Sequence, residues 1–177
     1  MSADPVVVAA SEDGEQGAYF SFGADGRPNP PIDFSGPYGK IHYLHSLSLA
    51  VADDRRLYAL PTPPTLRSRD SRNHLIAFDL VTGTPVWGGP DDDRLDGDSG
   101  YRLLVQDGKL TVLTSHRKNP YRVRALDPAT GEQREISDLP DSMDSADRIF
   151  TYRDRLIVAR YDAYSNGRRP FTAYGHR

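Results

Sequence analysis

Acidic side chains form the most conspicuous candidate metal site in the sequence. Five aspartates occur within residues 91–98, which read DDDRLDGD. Carboxylate oxygens are hard ligands of the kind that calcium prefers, and the common calcium loop places them at its first, third and fifth positions. Here Arg94 takes the third position of a loop that starts at Asp92, and Leu95 takes the fifth position of one that starts at Asp91. The spacing therefore favours a solvated loop over a calcium site.

The histidines and the known catalytic motifs give no second candidate. His42 and His45 are three residues apart, so a strand would point them to opposite faces. His74, His116 and His176 stand alone in the sequence. It contains no nucleophile elbow, Walker loop, zinc-protease motif or dinucleotide fingerprint. Because the chain has no cysteine, it has no disulfide, thiolate zinc site or cysteine nucleophile.

Basic side chains cluster in three segments that could bind an anion or a protein partner. Two interpretations stay open: the charges keep surface loops soluble, or they form a recognition surface to which nearby tyrosines add aromatic contacts. The residues are Arg67, Arg69, Arg72, Arg117, Lys118, Arg168 and Arg169, together with Tyr121, Tyr161 and Tyr164.

Length and charge narrow the classes of partner. The chain has 177 residues, and 22 basic against 25 acidic side chains give a net charge of −3, which argues against nucleic acid or an anionic membrane surface as the partner. No stretch approaches the roughly 18 apolar residues of a membrane span. The acidic start, MSADPVVVAASEDGEQG, is unlike a secretory signal. As written, the sequence predicts a cytoplasmic protein, an expectation that fails if the protein begins upstream of Met1.

A repeat organises the chain and must position these residues. The segment LIAFDLVTGTPVW at 75–87 recurs as VRALDPATGEQRE at 123–135, 48 residues later. A third copy begins at PFTAYG, where Ala173 follows Ala125 by the same offset. The matched pairs are Ala77 and Ala125, Asp79 and Asp127, Thr82 and Thr130, and Gly83 and Gly131.

Each repeat is preceded by a predicted hairpin. Residues 49–60, 103–115 and 149–162 each contain two runs of strand-forming residues around a two-residue turn, and Asp107 with Gly108 is the strongest of these turns. Each period therefore holds about four short strands, which is typical of a β-propeller blade. The segments VVVAA, GAYFSFGADG and RPNPPIDFSG predict the last three strands of an earlier, degenerate blade.

The best-preserved repeat resembles a known motif. The pattern Ala77-x-Asp79-x-x-Thr82-Gly83-x-x-x-Trp87 resembles the tryptophan-docking motif of pyrroloquinoline-quinone-like (PQQ-like) propeller repeats, in which a tryptophan latches one blade to the next. The likeness covers roughly residues 47–175. It implies that Trp87 is buried between blades.

The second and third copies depart from the motif, and the aspartates of the first and second copies have a predicted structural role. The second copy has Glu135 where the tryptophan would stand, and the third has Gly175 in place of the aspartate. Asp79 and Asp127 are predicted to form turns, because a carboxylate followed by Thr-Gly can accept main-chain N–H groups while glycine takes the left-handed position.

The sequence thus predicts an all-β fold, a partial β-propeller with PQQ-like blades of four antiparallel strands. Two nearly full blades, 47–90 and 100–138, are flanked by incomplete ones at 5–46 and 146–177 within a single region, 1–177. The repeat alignment places the three basic segments between second and third strands, on one rim. A small ring closed by the chain's own ends and a fragment of a six- to eight-bladed propeller both remain possible, with the fragment favoured.

Two functions follow as alternatives. The resemblance implies either a non-catalytic propeller that binds proteins, as a scaffold or sensor, or part of a propeller enzyme, quinoprotein-like or glycan-acting, whose site lies in missing blades. Repeats of this family occur in actinobacterial proteins, including segments attached to serine/threonine kinases. Alcohol-oxidising members hold the quinone with a vicinal cysteine disulfide and calcium; without cysteine, no PQQ and no other cofactor is expected here. We favour the binding module, with a protein as partner and self-association through open blade edges.

Overall fold

The computed structural model describes residues 6–12, 16–34, 50–61, 74–115, 121–139, 148–152, 155–160 and 170–175. Within these ranges the regular elements are strands, and no helix long and apolar enough to cross a membrane occurs among them. The strands are β1 (Val7–Glu12), β2 (Gln16–Ser21), β3 (Ile32–Asp33), β4 (Ala50–Ala52), β5 (Arg56–Ala59), β6 (Ile76–Asp79), β7 (Pro85–Gly88), β8 (Ser99–Gln106), β9 (Lys109–Ser115), β10 (Arg122–Leu126), β11 (Gln133–Asp138), β12 (Arg148–Tyr152), β13 (Arg155–Ala159) and β14 (Phe171–Gly175).

These strands form four antiparallel sheets in which chain neighbours are also sheet neighbours. Sheet 1 has the order β1-β2-β3, sheet 2 β4-β5-β6-β7, sheet 3 β8-β9-β10-β11 and sheet 4 β12-β13-β14. Such up-and-down meanders of four strands are the blades of a propeller.

The hairpin turn between β8 and β9 follows the local sequence. Asp107 and Gly108 both have positive φ angles, 51° and 70°, and the pairing of Gln106 with Lys109 closes the loop. Two consecutive positive φ values define the tight turn whose twist matches that of the flanking strands, and Asp-Gly is a preferred dipeptide for it. The hairpin predicted at this dipeptide is confirmed.

Consecutive sheets pack face to face, and each interface has its own apolar core. Sheets 1 and 2 share Val7, Tyr19, Ile32, Phe34, Leu57, Ala59, Ile76, Phe78 and Leu80. Sheets 2 and 3 share Tyr58, Leu60, Leu75, Ala77, Leu95, Leu103, Leu110, Val112 and Leu126. Sheets 3 and 4 share Leu113, Leu139 and Val158, with Tyr121, Val123, Ile149, Leu156 and Tyr174 packed around them. Both faces of sheets 2 and 3 are therefore covered, as in adjacent blades of a propeller.

Sheet 1 lacks a counterpart of the first strand within the described residues. A Cβ added to Gly83, in the turn after β6, would lie 2.9 Å from the Pro31 carbonyl oxygen next to β3. Gly131, in the turn after β10, packs in the same way against Trp87 of β7. β3 thus has the place in sheet 1 that β7 has in sheet 2, the fourth.

The all-β partial propeller predicted from the sequence is confirmed. Two four-stranded sheets stand between two sheets with three described strands each. β8 starts at Ser99, four residues before the predicted Leu103, since its pairing with β9 extends to Ser115. The limits of the four units stay predictions.

Candidate functional site

Trp87 lies at the junction of sheets 2 and 3. Its indole Nε1–H donates a hydrogen bond of 3.1 Å to the Pro128 carbonyl oxygen, in the turn that follows β10. The ring contacts Tyr58 at 5.8 Å between centroids. The Tyr58 hydroxyl lies 3.2 Å from the same Pro128 oxygen and donates to Asp53 at 2.5 Å; burial, and then this carboxylate, raise the pKa of Tyr58, so it remains a donor. A side chain of one sheet is thereby attached to the turn of the next.

Arg94 also contacts the indole of Trp87. Its guanidinium carbon lies 4.6 Å from the centroid of the Trp87 ring, a stacked cation–π contact. Asp92 accepts two hydrogen bonds from the same guanidinium, and Arg94 Nη1 donates to the Thr130 carbonyl oxygen at 3.3 Å. Burial raises the pKa of Asp92, but the hydrogen bonds and charge of Arg94 outweigh it and leave the pKa below its usual value.

The two repeated aspartates build equivalent turns. Asp79 Oδ1 accepts the N–H groups of Val81 and Thr82 at 3.0 and 2.8 Å and the Thr82 hydroxyl at 3.0 Å. Asp127 Oδ1 accepts the Ala129 N–H at 2.7 Å, and its Oδ2 accepts Arg134 at 2.7 Å. These carboxylates are thus occupied by the turns and their neighbours.

A glycine ends each of these two turns, Gly83 after Asp79 and Gly131 after Asp127. Gly131 lies against the indole of Trp87. Gly131 has φ 69° and its N–H donates to the Asp127 carbonyl oxygen at 2.7 Å. A Cβ at this position would lie 2.7 Å from Trp87 Cε3 and closer still to the Arg94 guanidinium. Gly108 has φ 70° and open space at the Cβ position. Gly131 and Gly108 thus have nearly the same positive φ, but only Gly131 is also packed against other side chains.

Substituting Gly108 and Gly131 by alanine should distinguish the cost of a strained backbone from the cost of disrupted packing. Gly108→Ala should cost about 1 kcal/mol, from the left-handed backbone alone. Gly131→Ala should cost about 2 kcal/mol more, because the methyl group forces apart the indole and the guanidinium. Urea unfolding followed by far-UV circular dichroism measures both. Equal losses would show that the indole does not pack on this turn.

Acid should weaken the fold through the two turn aspartates. The pKa of Asp79 is lowered first by the Thr82 N–H, with smaller opposition from burial, and that of Asp127 first by Arg134. A depressed native pKa stabilises the protein above the ordinary aspartate value of about 3.9, and the stabilisation is lost as the pH falls below it.

The Asp79→Asn and Asp127→Asn variants test this dependence. Each should show a shallower decline of the unfolding free energy between about pH 5 and pH 3, because the variant side chain takes up no proton on unfolding. Urea titrations across that range give the slope. Slopes identical to that of the unmodified chain would contradict the assignment.

An ion-pair cluster that the sequence did not indicate lies between sheets 2 and 3. Arg124, in β10, and Asp98, just before β8, are both 0% exposed in their side chains, and Arg124 Nη2 lies 2.9 Å from Asp98 Oδ2. Arg124 Nη1 donates to Asp96 Oδ2 at 2.9 Å and to Gln133 Oε1. Thr114 Oγ1 donates to Asp98 at 3.2 Å. The acidic run is thus not merely a solvated loop: two of its members hold a buried arginine.

The structure places few of the predicted rim residues. Arg67, Arg69, Arg72, Arg117, Lys118, Tyr161, Tyr164, Arg168 and Arg169 lie outside the described residues, as do His42, His45, His116 and His176. Tyr121 is half-buried and packs with the core of sheets 3 and 4.

His74 Nδ1 lies 3.1 Å from the Asp92 carbonyl oxygen. In the described part of the chain, no group of three or more potential metal ligands occurs.

Among the described residues, large apolar side chains are exposed on one face of the last sheet and on one face of the first sheet. Phe150, Tyr152 and Phe171 of sheet 4 are 42%, 60% and 64% exposed. Val6, just before β1 of sheet 1, and Val8, within β1, are 50% and 42% exposed. The three exposed aromatic side chains of sheet 4 lie on one face of that sheet.

Comparison with known proteins gives structural neighbours only. No protein-family model and no curated protein matches the chain. BamB from Moraxella catarrhalis is similar in structure, with 18% identity and a TM-score of 0.46 over 92% of this chain and 41% of BamB. A quinohemoprotein alcohol dehydrogenase, ADHIIG from Pseudomonas putida HK5, has 16% identity and a TM-score of 0.37 over 71% of this chain and 19% of that enzyme. The chain spans less than half the length of either protein.

Proposed function

We propose that this chain is a propeller of the PQQ-like repeat family and that it binds proteins rather than catalysing a reaction. The exposed aromatic face of sheet 4 carries the proposal, because Phe150, Tyr152 and Phe171 together offer the large, rigid contact area that protein interfaces use. Phe171 pairs with Ala159 across β14 and β13, so the face is a regular sheet surface and not a loop.

Family membership is supported by the tryptophan latch. Trp87 reaches from sheet 2 to the turn of sheet 3 and donates to the Pro128 carbonyl oxygen, in keeping with the docking role that the resemblance implies. Gly131 leaves room for the indole. Asp127 supports the turn with its carboxylate.

A non-catalytic role is supported by the use made of the acidic side chains. Asp79 and Asp127 accept turn N–H groups. Asp92 binds Arg94, while Asp96 and Asp98 bind Arg124. These carboxylates are engaged in structural bonds, and a quinone or calcium would compete with those bonds for the same oxygens.

Site-specific photocrosslinking tests the binding surface. A benzophenone amino acid replaces Phe171, which is 64% exposed, or Val81, which is 65% exposed in the turn after β6 and serves as the matched control. Irradiation in producing cells should give a discrete protein adduct at position 171 and none at 81, and Tyr152→Asp in the same chain should abolish the adduct. Absence of an adduct at 171 would contradict the proposal.

A quinone titration tests the enzyme alternative. Purified chain is incubated with pyrroloquinoline quinone and Ca²⁺, and dye reduction is followed with a series of alcohols. We expect neither a change in the quinone absorption spectrum nor turnover. Saturable quinone binding together with dye reduction would contradict the proposed binding role and show that the chain belongs to an enzyme.

A further inference from the structure

We propose that the uncovered face of sheet 4 binds sheet 1 of a second copy of this chain, continuing the sheet-on-sheet packing found within one chain. The inference rests on the proposed role as a protein-binding module and names its partner. Each sheet has a forward face, toward the next sheet of the chain, and a rear face, toward the preceding one.

Pairing register shows that the forward face of sheet 4 repeats a face that is covered elsewhere. In sheet 3, Val123 pairs with Leu113, and both pack in the core shared with sheet 4. In sheet 4 the pair of Phe171 with Ala159 stands at the corresponding place, 48 and 46 residues later. Phe171 thus occupies a position at which the preceding blade is covered by its neighbour, yet it is 64% exposed.

The rear face of sheet 1 repeats the complementary surface. In sheet 2, Leu57 pairs with Phe78, and both are buried against sheet 1. Val8 pairs with Phe20 between the corresponding strands of sheet 1, on the face opposite to Tyr19. Val8 is 42% exposed. This face therefore presents an aliphatic and an aromatic side chain in the arrangement that packs on a preceding sheet.

The charges on the two faces have opposite signs. Arg148 pairs with Ala159, and Arg155 pairs with Tyr152, so both arginines lie on the forward face of sheet 4, where they are exposed. Asp33 pairs with Ala18 on the rear face of sheet 1 and is exposed too. Opposite charges around an apolar centre favour the contact of these two faces over contact of either face with itself.

A second copy satisfies both faces at once. The described residues of each chain form four sheets, so two chains whose faces contact reciprocally bring eight such sheets together, which lies within the usual number of propeller blades. The reciprocal arrangement closes by a two-fold axis and leaves neither face exposed. A single chain leaves Phe171 and Val8 exposed.

Sedimentation equilibrium of the purified chain tests the proposal. The expected mass at micromolar concentrations is twice the 19.7 kDa of one chain. Phe171→Asp, or Tyr152→Asp on the same face, should raise the dimer dissociation constant about tenfold or more, because a carboxylate is then desolvated in the interface. The control Val81→Asp should leave it unchanged. A wild-type monomer over the whole concentration range would overturn the proposal.

Cysteine crosslinking tests the pairing of faces, since the natural chain has no cysteine. Phe171→Cys chains mixed with Val8→Cys chains should form a covalent dimer with a short bismaleimide, whereas either variant alone should not. Equally strong crosslinking of Phe171→Cys alone would overturn the proposal, because like faces would then meet. If the chain is monomeric but position 171 still photocrosslinks to a different protein in cells, the binding function stands and the second copy is refuted.

Discussion

Trp87→Ala is expected to lower the free energy of unfolding by about 3 kcal/mol. The substitution removes the ring that packs on Tyr58 and under Arg94, together with the hydrogen bond to the Pro128 carbonyl oxygen. The guanidinium of Arg94 then loses its stacking surface. Because these contacts join two sheets, the loss weakens the interface and not only one strand.

Urea unfolding followed by far-UV circular dichroism measures the effect, since the variant has no tryptophan left to report by fluorescence. Trp87→Phe keeps an aromatic ring but not the N–H group, and its loss should be intermediate. Val86→Ala is the control: the neighbouring side chain is 44% exposed and should cost no more than about 0.5 kcal/mol. Similar losses of unfolding free energy for Trp87→Ala and Val86→Ala would show that Trp87 does not join the two sheets.

Arg124→Met is expected to cost about 3–5 kcal/mol, because it leaves the Asp98 carboxylate buried without its main charge partner. The Asp98 side chain is 0% exposed, and the next arginine, Arg122, lies 3.7 Å away and is itself partly exposed. Methionine approximates the length of the arginine stem, so the loss reports the charge more than the volume.

A double variant separates the charge from the packing. Arg124→Met combined with Asp98→Leu should recover more than half of the loss, since both ends of the buried pair become apolar. Arg134→Met removes an exposed arginine from Asp127 and should have a much smaller effect. A double variant no more stable than Arg124→Met would show that the cluster does not act as an ion pair.

Much of the architecture was accessible from sequence because turns and repeats are local features. The Asp107-Gly108 dipeptide specifies its own backbone geometry. The constant offset between the motif copies reflects one blade geometry used twice, and the corresponding glycines Gly83 and Gly131 have nearly the same φ, 70° and 69°. Such signals need no knowledge of distant contacts.

The buried arginine could not be found in this way. In β10, the alternation of Arg122, Val123 and Arg124 suggests one polar, solvated face. That rule holds for a sheet with one face in water, whereas sheet 3 is covered on both faces. The useful signal was Asp96 with Asp98 in the connection before β8, because these two residues supply the carboxylates that contact Arg124.

The predicted basic rim shows a second limit of prediction from sequence. Its charges lie in segments whose conformation no periodic pattern specifies, and the one member that the structure describes, Tyr121, packs partly into a core. Sequence showed which residue types were present there, but recognition depends on their arrangement in space. The uncovered face of sheet 4 follows instead from strand register, which the repeat does specify.

Equilibrium unfolding with two probes tests most directly that successive sheets are blades joined by shared interfaces. Trp87 is the single tryptophan and reports the junction of sheets 2 and 3, while far-UV circular dichroism reports the strands of all four sheets. Coupled blades should give one cooperative transition, with the same urea midpoint for fluorescence and circular dichroism. A fluorescence midpoint well below that of the circular dichroism would mean that the junction opens while the sheets persist, and would contradict this account.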